Sequence, residues 1–161
     1  MKVKYNLYFG LALAILALGA CQGPQGPGGP TYAEIGAQIP PLAPDHARIF
    51  FYREYEPYEG LSRPYIRLNN NPVTISEPGG VSYRDVAPGT YFVSVDTAGL
   101  YPDQFKTLAF AAGQTYYIQI QSYFHYNTGD VTIVRDTLVV APMDAERGKR
   151  EIQDKHVVTG T

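Results

Sequence analysis

Residues 87–96 have the sequence APGTYFVSVD, and this stretch decides the fold class. Pro88 and Gly89 occupy the central positions of its opening turn, where proline and glycine are favoured. The residues after the turn alternate between two faces, with Tyr91, Val93 and Val95 on one and Phe92, Ser94 and Asp96 on the other. A period of two is typical of a β-strand, so the stretch predicts the second half of a β-hairpin.

The same kind of pattern continues on both sides of this hairpin. Alternation returns over 115–124, and Pro72 at the start of a short apolar run favours an edge strand. Further strands are predicted from β-branched and aromatic residues at 47–54, 64–69, 72–76, 80–86, 105–110 and 131–140. Turn signals separate the strands about every 8 to 12 residues. We therefore expect residues 47–141 to form an all-β domain, a small antiparallel β-sandwich of about seven or eight strands with Greek-key or transthyretin-like topology.

The first 20 residues have the features of a secretion signal. Lys2 and Lys4 supply the positive start, residues 7–18 supply the apolar centre, and a glycine and an alanine precede Cys21. The apolar run is shorter than the roughly 20 residues that a membrane span needs. We expect residues 1–20 to be a signal peptide that is absent from the mature protein.

Residues 18–21, LGAC, are similar to the lipobox of bacterial lipoproteins. This resemblance implies that Cys21 is acylated and becomes the new N-terminus, and several acyl chains would anchor the protein stably in a membrane. Gln22 follows the cysteine. By resemblance to the lipoproteins of bacteria with two membranes, a residue other than Asp here implies the periplasmic face of the outer membrane. The alternative is an ordinary signal peptide with a chance cysteine.

Two polar segments flank the predicted sandwich. Residues 21–46 begin with the lipidated cysteine and continue as a Pro/Gly-rich stretch, which predicts an extended tether that reaches on the order of 75 Å. Residues 142–161 are polar and charged, and Gly148 interrupts their one helix-compatible run. This tail is predicted to be either a short helix or disordered.

Three motifs carry a family resemblance. They are ARIFFYR at 47–53, VAPGTY at 86–91 and AGQTYYI at 112–118. Together they resemble a family of bacterial lipoproteins known only as a domain of unknown function. The resemblance implies a β-sandwich in the cell envelope and supplies no catalytic residues. The PG-x-Y hairpin is also similar to those of transthyretin-like and carboxypeptidase-regulatory-like sandwiches.

Charge and cysteine content exclude several classes of function. Without the two lysines of the first 20 residues, 11 basic residues face 15 acidic ones, which argues against nucleic acid and against a polybasic membrane patch. A single cysteine excludes internal disulfides and multi-cysteine metal sites. His46, His125 and His156 lack metal-ligand spacing, and no nucleophile elbow or phosphate loop is present. The sequence therefore predicts no catalytic residues, no metal and no cofactor.

Two clusters remain as candidate sites. The carboxylates of Glu54, Glu56 and Glu59 share one loop and would suit a hydrolase of envelope polymers. Six tyrosines flank two predicted loops and would form an aromatic binding patch if both loops lie at one end of the sandwich: Tyr52, Tyr55, Tyr58, Tyr65, Tyr123 and Tyr126. The alternative for the tyrosines is that they cover the sheet as ordinary strand residues.

These observations predict a lipid-anchored, non-enzymatic binding or interaction module of the cell envelope. Its partner would be an envelope protein. The alternatives are a module that binds peptidoglycan or another glycan through the tyrosines, and a hydrolase that uses the glutamate loop.

Overall fold

The computed structural model describes residues 28–56, 62–96, 103–125 and 134–158. In this part of the chain there are nine strands, two short α-helices and a 3-10 turn over Gly36–Gln38. The helices are α1 (Tyr32–Ile35) and α2 (Ala145–Glu151). The strands are β1 (Ala47–Tyr52), β2 (Tyr65–Leu68), β3 (Asn71–Ile75), β4 (Gly80–Val86), β5 (Gly89–Val95), β6 (Phe105–Phe110), β7 (Thr115–His125), β8 (Val134–Met143) and β9 (His156–Val157).

The strands form two sheets, and the predicted β-sandwich is confirmed. One sheet has five strands in the order β8-β7-β1-β4-β9, and the other has four in the order β3-β2-β5-β6. The five-stranded sheet is mixed rather than purely antiparallel, because β1 pairs in parallel with β7 and β4 pairs in parallel with β9. The chain crosses to the other sheet between β4 and β7, and this long connection is what allows β7 to return parallel to β1.

The main core lies between the two sheets. Every second residue of β1 faces inward, and Ile49 and Phe51 are both completely buried there. Inner-facing residues of β7 in the same sheet and of β5 in the opposite sheet pack against them. The sequence alternation predicted these inner faces. The buried members are Ala47, Ile49, Phe51, Ile66, Leu68, Val93, Val95, Phe110, Ile118, Ile120, Leu138 and Val140.

A second core lies on the outer face of the five-stranded sheet. Phe50 and Tyr52 point outward from β1 and are buried with Val81 of β4 and Ile152. The segments that cover them are α1, the 3-10 turn and α2, here called the helical layer. Because β1 is central in its sheet and covered on both faces, all six of its residues are buried.

The predicted tether differs from the observed structure after residue 30. Val157 N donates to Pro30 O at 3.0 Å, and Tyr32 N donates to Lys155 O at 2.8 Å. The Tyr32 ring packs edge-on against Phe50 with ring centroids 5.3 Å apart. Residues 30–39 therefore belong to the folded domain, because their few apolar side chains cover an apolar sheet face.

The predicted polar tail is also part of the domain. Asp144 caps α2, with one side-chain oxygen that accepts from the backbone N–H groups of Glu146 and Arg147. Ile152 is fully buried, and β9 extends the sheet beyond β4. Of the two alternatives for the tail, the short helix is the one observed, and the folded domain extends beyond the predicted range of 47–141.

Gly148 allows α2 to approach the sheet closely. A Cβ atom at this position would lie 2.3 Å from both Cβ and Cγ of Tyr117 on β7. The glycine that appeared to interrupt a helix is therefore the residue that permits helix–sheet contact. Within the described part of the chain, neither helix has the length and apolar character that a membrane crossing requires.

Several strands begin or end at the same end of the sandwich, which is here called the loop end. Arg53 N, just after β1, donates to Gly80 O at the start of β4. Asp96 N, just after β5, donates to Tyr65 O at the start of β2. In addition, β7 continues to His125, six residues beyond Gln119, which pairs with the last residue of β1. The β7–β8 hairpin thus extends past the end of β1.

Candidate functional site

An open cleft of about 220 Å³ lies at the loop end, on the outer face of the five-stranded sheet. It forms because β7 runs on after β1 has ended, so that the outward side chains of β7 lose their neighbour on that side. Three segments line it: Arg53, Glu54 and Glu56 after β1, residues 119–122 of β7, and Arg147 of α2. Polar side chains therefore converge on one concavity from elements that are far apart in sequence.

Two glutamines of β7 form the wall of the cleft. Gln119 and Gln121 point to the same face, and Gln121 Nε2 donates to Gln119 Oε1 at 2.8 Å. Gln119 is only 6% exposed. Both glutamines line the cleft. The hydrogen bond from Gln121 fixes the orientation of the Gln119 amide.

A buried lysine holds the glutamate side of the cleft. Lys155 is 5% exposed, and its Nζ contacts Glu54 Oε2 at 2.9 Å and Asp154 Oδ1 at 2.6 Å. Burial alone lowers the pKa of Lys155, but the hydrogen bonds to Asp154 and Glu54 outweigh it and the net shift is upward. Lys155 therefore stays charged and fixes one carboxylate oxygen of Glu54.

The opposite side of the cleft is fixed by a contact between β1 and α2. Tyr52 Oη donates to Glu151 Oε2 at 2.6 Å, and Arg147 Nε donates to Glu151 Oε1 at 2.6 Å. Burial raises the pKa of Glu151, yet the hydrogen bonds from Tyr52 and Arg147 outweigh it and hold that pKa below its ordinary value. Burial, followed by the contact with Glu151, raises the pKa of Tyr52 well above its ordinary range. Arg147 is thereby positioned at the rim.

Positive and negative groups balance around the cleft. Arg53 is 3% exposed, and its Nη1 donates to Ser62 O at 2.9 Å. Arg53, Arg147 and Lys155 supply three cations, and the nearby carboxylates are those of Glu54, Glu56, Glu151 and Asp154. The cleft therefore presents hydrogen-bond donors and acceptors without a strong field of one sign.

The structure separates the predicted tyrosine patch. Tyr52 is 2% exposed and faces the helical layer, so its prediction as a surface binding residue is wrong. Tyr55 is half-buried after β1, and Tyr65 is 45% exposed on the outer face of the four-stranded sheet. Both lie near the loop end. Tyr58 and Tyr126 lie outside the described residues, as does the side chain of Tyr123.

Of the predicted glutamate cluster, Glu54 and Glu56 line the cleft. Glu59 and Cys21 lie outside the described residues. Sequence reasoning did not single out Gln119, Gln121 or Arg147. The two glutamines could have been found, because they alternate along β7 with core isoleucines and therefore share the outer face of that strand. Arg147 carried no such signal, because the docking of α2 brings it to the cleft over a long sequence distance.

The described residues also bear on metal chemistry. Within residues 28–56, 62–96, 103–125 and 134–158, no three His, Cys, Asp or Glu side chains come together as a set that could hold a metal ion. The two histidines with described side chains do not line the cleft. His46 Nδ1 contacts Asp45 at 2.9 Å, and His156 Nδ1 contacts Gly29 O at 2.6 Å.

Residues 43–134 match the model of a family described as a protein of unknown function, DUF2846. This match covers more than half of the 161 residues. The chain belongs to this family. The predicted resemblance to a family of unknown function is thus confirmed, and the matched region includes β1 to β7 together with most of the cleft. No curated protein and no solved structure matches the chain.

Proposed function

We propose that this protein is a lipid-anchored, non-enzymatic binding module of the bacterial cell envelope, and that the cleft at the loop end holds its ligand. One observation carries this proposal. Polar side chains from three segments that are far apart in the sequence converge on one open cleft of about 220 Å³. Polar groups that converge on one concavity can hold a small ligand by several hydrogen bonds at once.

The anchor part of the proposal rests on the sequence LGAC at residues 18–21. If Cys21 carries acyl chains, Pro30 follows it by only nine positions, and the Pro30 carbonyl is already bonded to Val157. Nine residues span at most about 30 Å. The domain would then stay close to the membrane surface, on the periplasmic side of the outer membrane in a bacterium with two membranes, and its ligand would be an envelope component within that reach.

The geometry supports binding better than hydrolysis. One oxygen of Glu54 is held by the buried Lys155, and Arg53 and Arg147 are held by Ser62 and Glu151. Groups fixed in this way by other side chains suit a site that orients a ligand through hydrogen bonds. They supply a set of donors and acceptors around a concavity, which is the usual form of a small ligand site.

Photo-crosslinking in the native host tests the proposal. A photoreactive phenylalanine derivative is placed at Gln121, an outward-facing residue of β7 that lines the cleft, in the full chain. The matched control places it at Gln114, an exposed glutamine in the turn before β7, at the opposite end of that strand. We expect a reproducible crosslinked species from position 121 that is absent from position 114 and lost in a Cys21→Ser chain.

Two results would overturn the proposal. Equal crosslinking from the two glutamine positions would show that the cleft has no special role. Hydrolysis of purified cell-wall polymer by the full chain, measured as new reducing ends and abolished by Glu56→Gln in a chain that still folds, would show that the protein is an enzyme.

A further inference from the structure

Among the described residues, the edge of the four-stranded sheet at β6 is open. β6 is the last strand of that sheet and pairs with β5 alone. Val95 N, at the end of β5, donates to Gln104 O. Bonds to the neighbouring strand alternate along an antiparallel ladder with bonds to the other side. The backbone N–H and C=O groups of Phe105, Thr107 and Ala109 therefore point out of the sheet edge.

Bonds within the chain close this open stretch at both ends. Before it, the chain turns at Asp103, whose φ is 69°, and the Asp103 carbonyl accepts from Val140 N at 2.9 Å. After it, Ala111 N donates to Tyr116 Oη at 2.9 Å. The open stretch is thus limited to residues 105–109, and Thr107 is its centre.

We infer that β6 pairs with β6 of a second copy of this chain, antiparallel and about a two-fold axis at Thr107. In this register Thr107 lies opposite Thr107 of the other copy, and Phe105 lies opposite Ala109. Every one of these residues points its backbone groups out of the edge, so all of those groups gain partners. A shift by two residues would leave part of the stretch unpaired, because Asp103 or Ala111 would then lie opposite it.

The side chains of β6 permit this pairing. On the outer face, Phe105, which is 51% exposed, would lie beside the small Ala109 of the other copy. Lysine often protects a sheet edge, but Lys106 alternates onto the inner face, and its Nζ donates to Asp103 Oδ1 at 2.7 Å. In the proposed register Lys106 lies opposite Leu108. Like charges directly opposite each other would weaken the pair, and this register avoids them.

The other described sheet edges have features that discourage strand addition. β3 contains Pro72 and pairs with β2 in an irregular register. β8 contains Pro142, and β9 has only two residues. β6 contains no proline and pairs with β5 without a register shift. Its edge is therefore the one that suits a second strand.

Sedimentation equilibrium of the full chain in a density-matched zwitterionic detergent tests the inference. We expect a reversible equilibrium between one and two copies. Thr107→Pro removes a backbone N–H that points away from β5, so the chain should associate at least about tenfold more weakly, because two hydrogen bonds are lost across the axis. Thr107→Val is the matched control. It keeps the N–H and the branched shape, and should associate like the native chain.

A charge exchange keeps the inference testable if Thr107→Pro fails to fold. Thr107→Lys and Thr107→Glu each place like charges opposite each other at the axis, so each variant alone should associate several-fold more weakly. An equimolar mixture of the two variants should regain the association of the native chain, because opposite charges then face each other. A residue that meets its own copy at a two-fold axis gives this pattern.

Two results would overturn the inference. One is a native chain that sediments as a single copy at every concentration. The other is association that Thr107→Pro, or the two charged variants, leave unchanged, since the copies would then meet through another surface. The inference goes beyond the proposed function and is tested independently of it, because the cleft lies on the five-stranded sheet.

Discussion

The outer faces of the two sheets differ in how much of their aromatic surface is buried. On the five-stranded sheet, Phe50 and Tyr52 are 3% and 2% exposed, because the helical layer covers them. On the four-stranded sheet, Tyr65 and Phe105 are 45% and 51% exposed. Phe105 touches Phe92 at a ring-centroid distance of 5.2 Å, but no described helix lies over the pair.

The difference shows what the two terminal segments do. Both are polar in composition, yet each supplies a few apolar side chains to one sheet face, such as Tyr32 from the first and Ile152 from the second. They also bond to each other, since Tyr32 N donates to Lys155 O and Ala33 N donates to Gln153 O. The covered face therefore depends on residues outside the sandwich itself, and the same cover forms one wall of the cleft through Arg147.

The largest expected effect on stability comes from removing a buried apolar side chain between the helical layer and the sheet. Ile152→Ala truncates a side chain with 0% exposure, and we expect it to lower the free energy of unfolding by about 2–5 kcal/mol. The matched variant on the uncovered face, Phe105→Ala, should cost about 1 kcal/mol or less, although phenylalanine is the larger residue. Urea denaturation of the full chain measures both values.

The difference between the two faces would be contradicted if Ile152→Ala lowered the free energy of unfolding as little as Phe105→Ala. In that case the C-terminal segment would add nothing to the stability of the sandwich. The slope of the free energy against urea concentration serves as a control, because it should stay unchanged if each variant alters stability without altering the native fold.

A smaller effect on stability is expected at Gly148, where the helical layer contacts the five-stranded sheet. Gly148→Ala in an isolated helix would be favourable by up to about 1 kcal/mol. Here the added methyl group would meet Tyr117 at 2.3 Å, so we expect a loss of about 1–3 kcal/mol. Lys149→Ala changes the exposed neighbour on the same helix and should alter stability by less than about 0.5 kcal/mol. A stabilised Gly148→Ala chain would contradict the close contact between α2 and β7.

The strands could be predicted from the sequence because alternation is a local signal. The predicted bounds of 80–86 and 105–110 are those of β4 and β6, and Pro72 lies in the edge strand β3. Pairing could not be predicted in the same way, since a strand's sequence does not record its partner. The parallel pairs β1–β7 and β4–β9 were therefore missed.

The helical layer was missed for a different physical reason. Tyr32, Ile39 and Ile152 each lack a periodic set of apolar neighbours, so no pattern marks them. A signal did exist in β1, where the uninterrupted run Ile49-Phe50-Phe51-Tyr52 is typical of a strand that is buried on both faces. That run required a second cover, but it did not identify the segments that supply it.

The candidate site was predictable in part for the same reasons. Glu54 and Glu56 share a short loop, so their clustering is visible in the sequence, and they do line the cleft. The glutamine wall follows from alternation on β7 once the outer face is known. Arg147 and the buried Lys155 reach the cleft only through the docking of the C-terminal segment, which is a long-range contact.

The smallest effect concerns the hydrogen bond between Tyr52 of the five-stranded sheet and Glu151 of the helical layer. The pH dependence of stability distinguishes this bond from packing of the ring. Tyr52→Phe removes the donor to Glu151 and keeps the ring, so it should cost about 1 kcal/mol at neutral pH. The folded-state pKa of Glu151 lies below the roughly 4.3 of an unfolded glutamate. Its carboxylate therefore stabilises the fold above about pH 4.3. That contribution is lost as the pH falls through the folded-state pKa.

The difference in unfolding free energy between the native chain and Tyr52→Phe should accordingly be complete at pH 7 and shrink toward pH 3. Urea denaturation at a series of pH values measures it. Tyr65→Phe makes the same substitution on the uncovered face, where the ring is 45% exposed, and should show no such pH dependence. A difference for Tyr52→Phe that stayed constant from pH 7 to pH 3 would mean that the tyrosine supports the cover by packing alone. Arg147 would then be held at the cleft without help from β1.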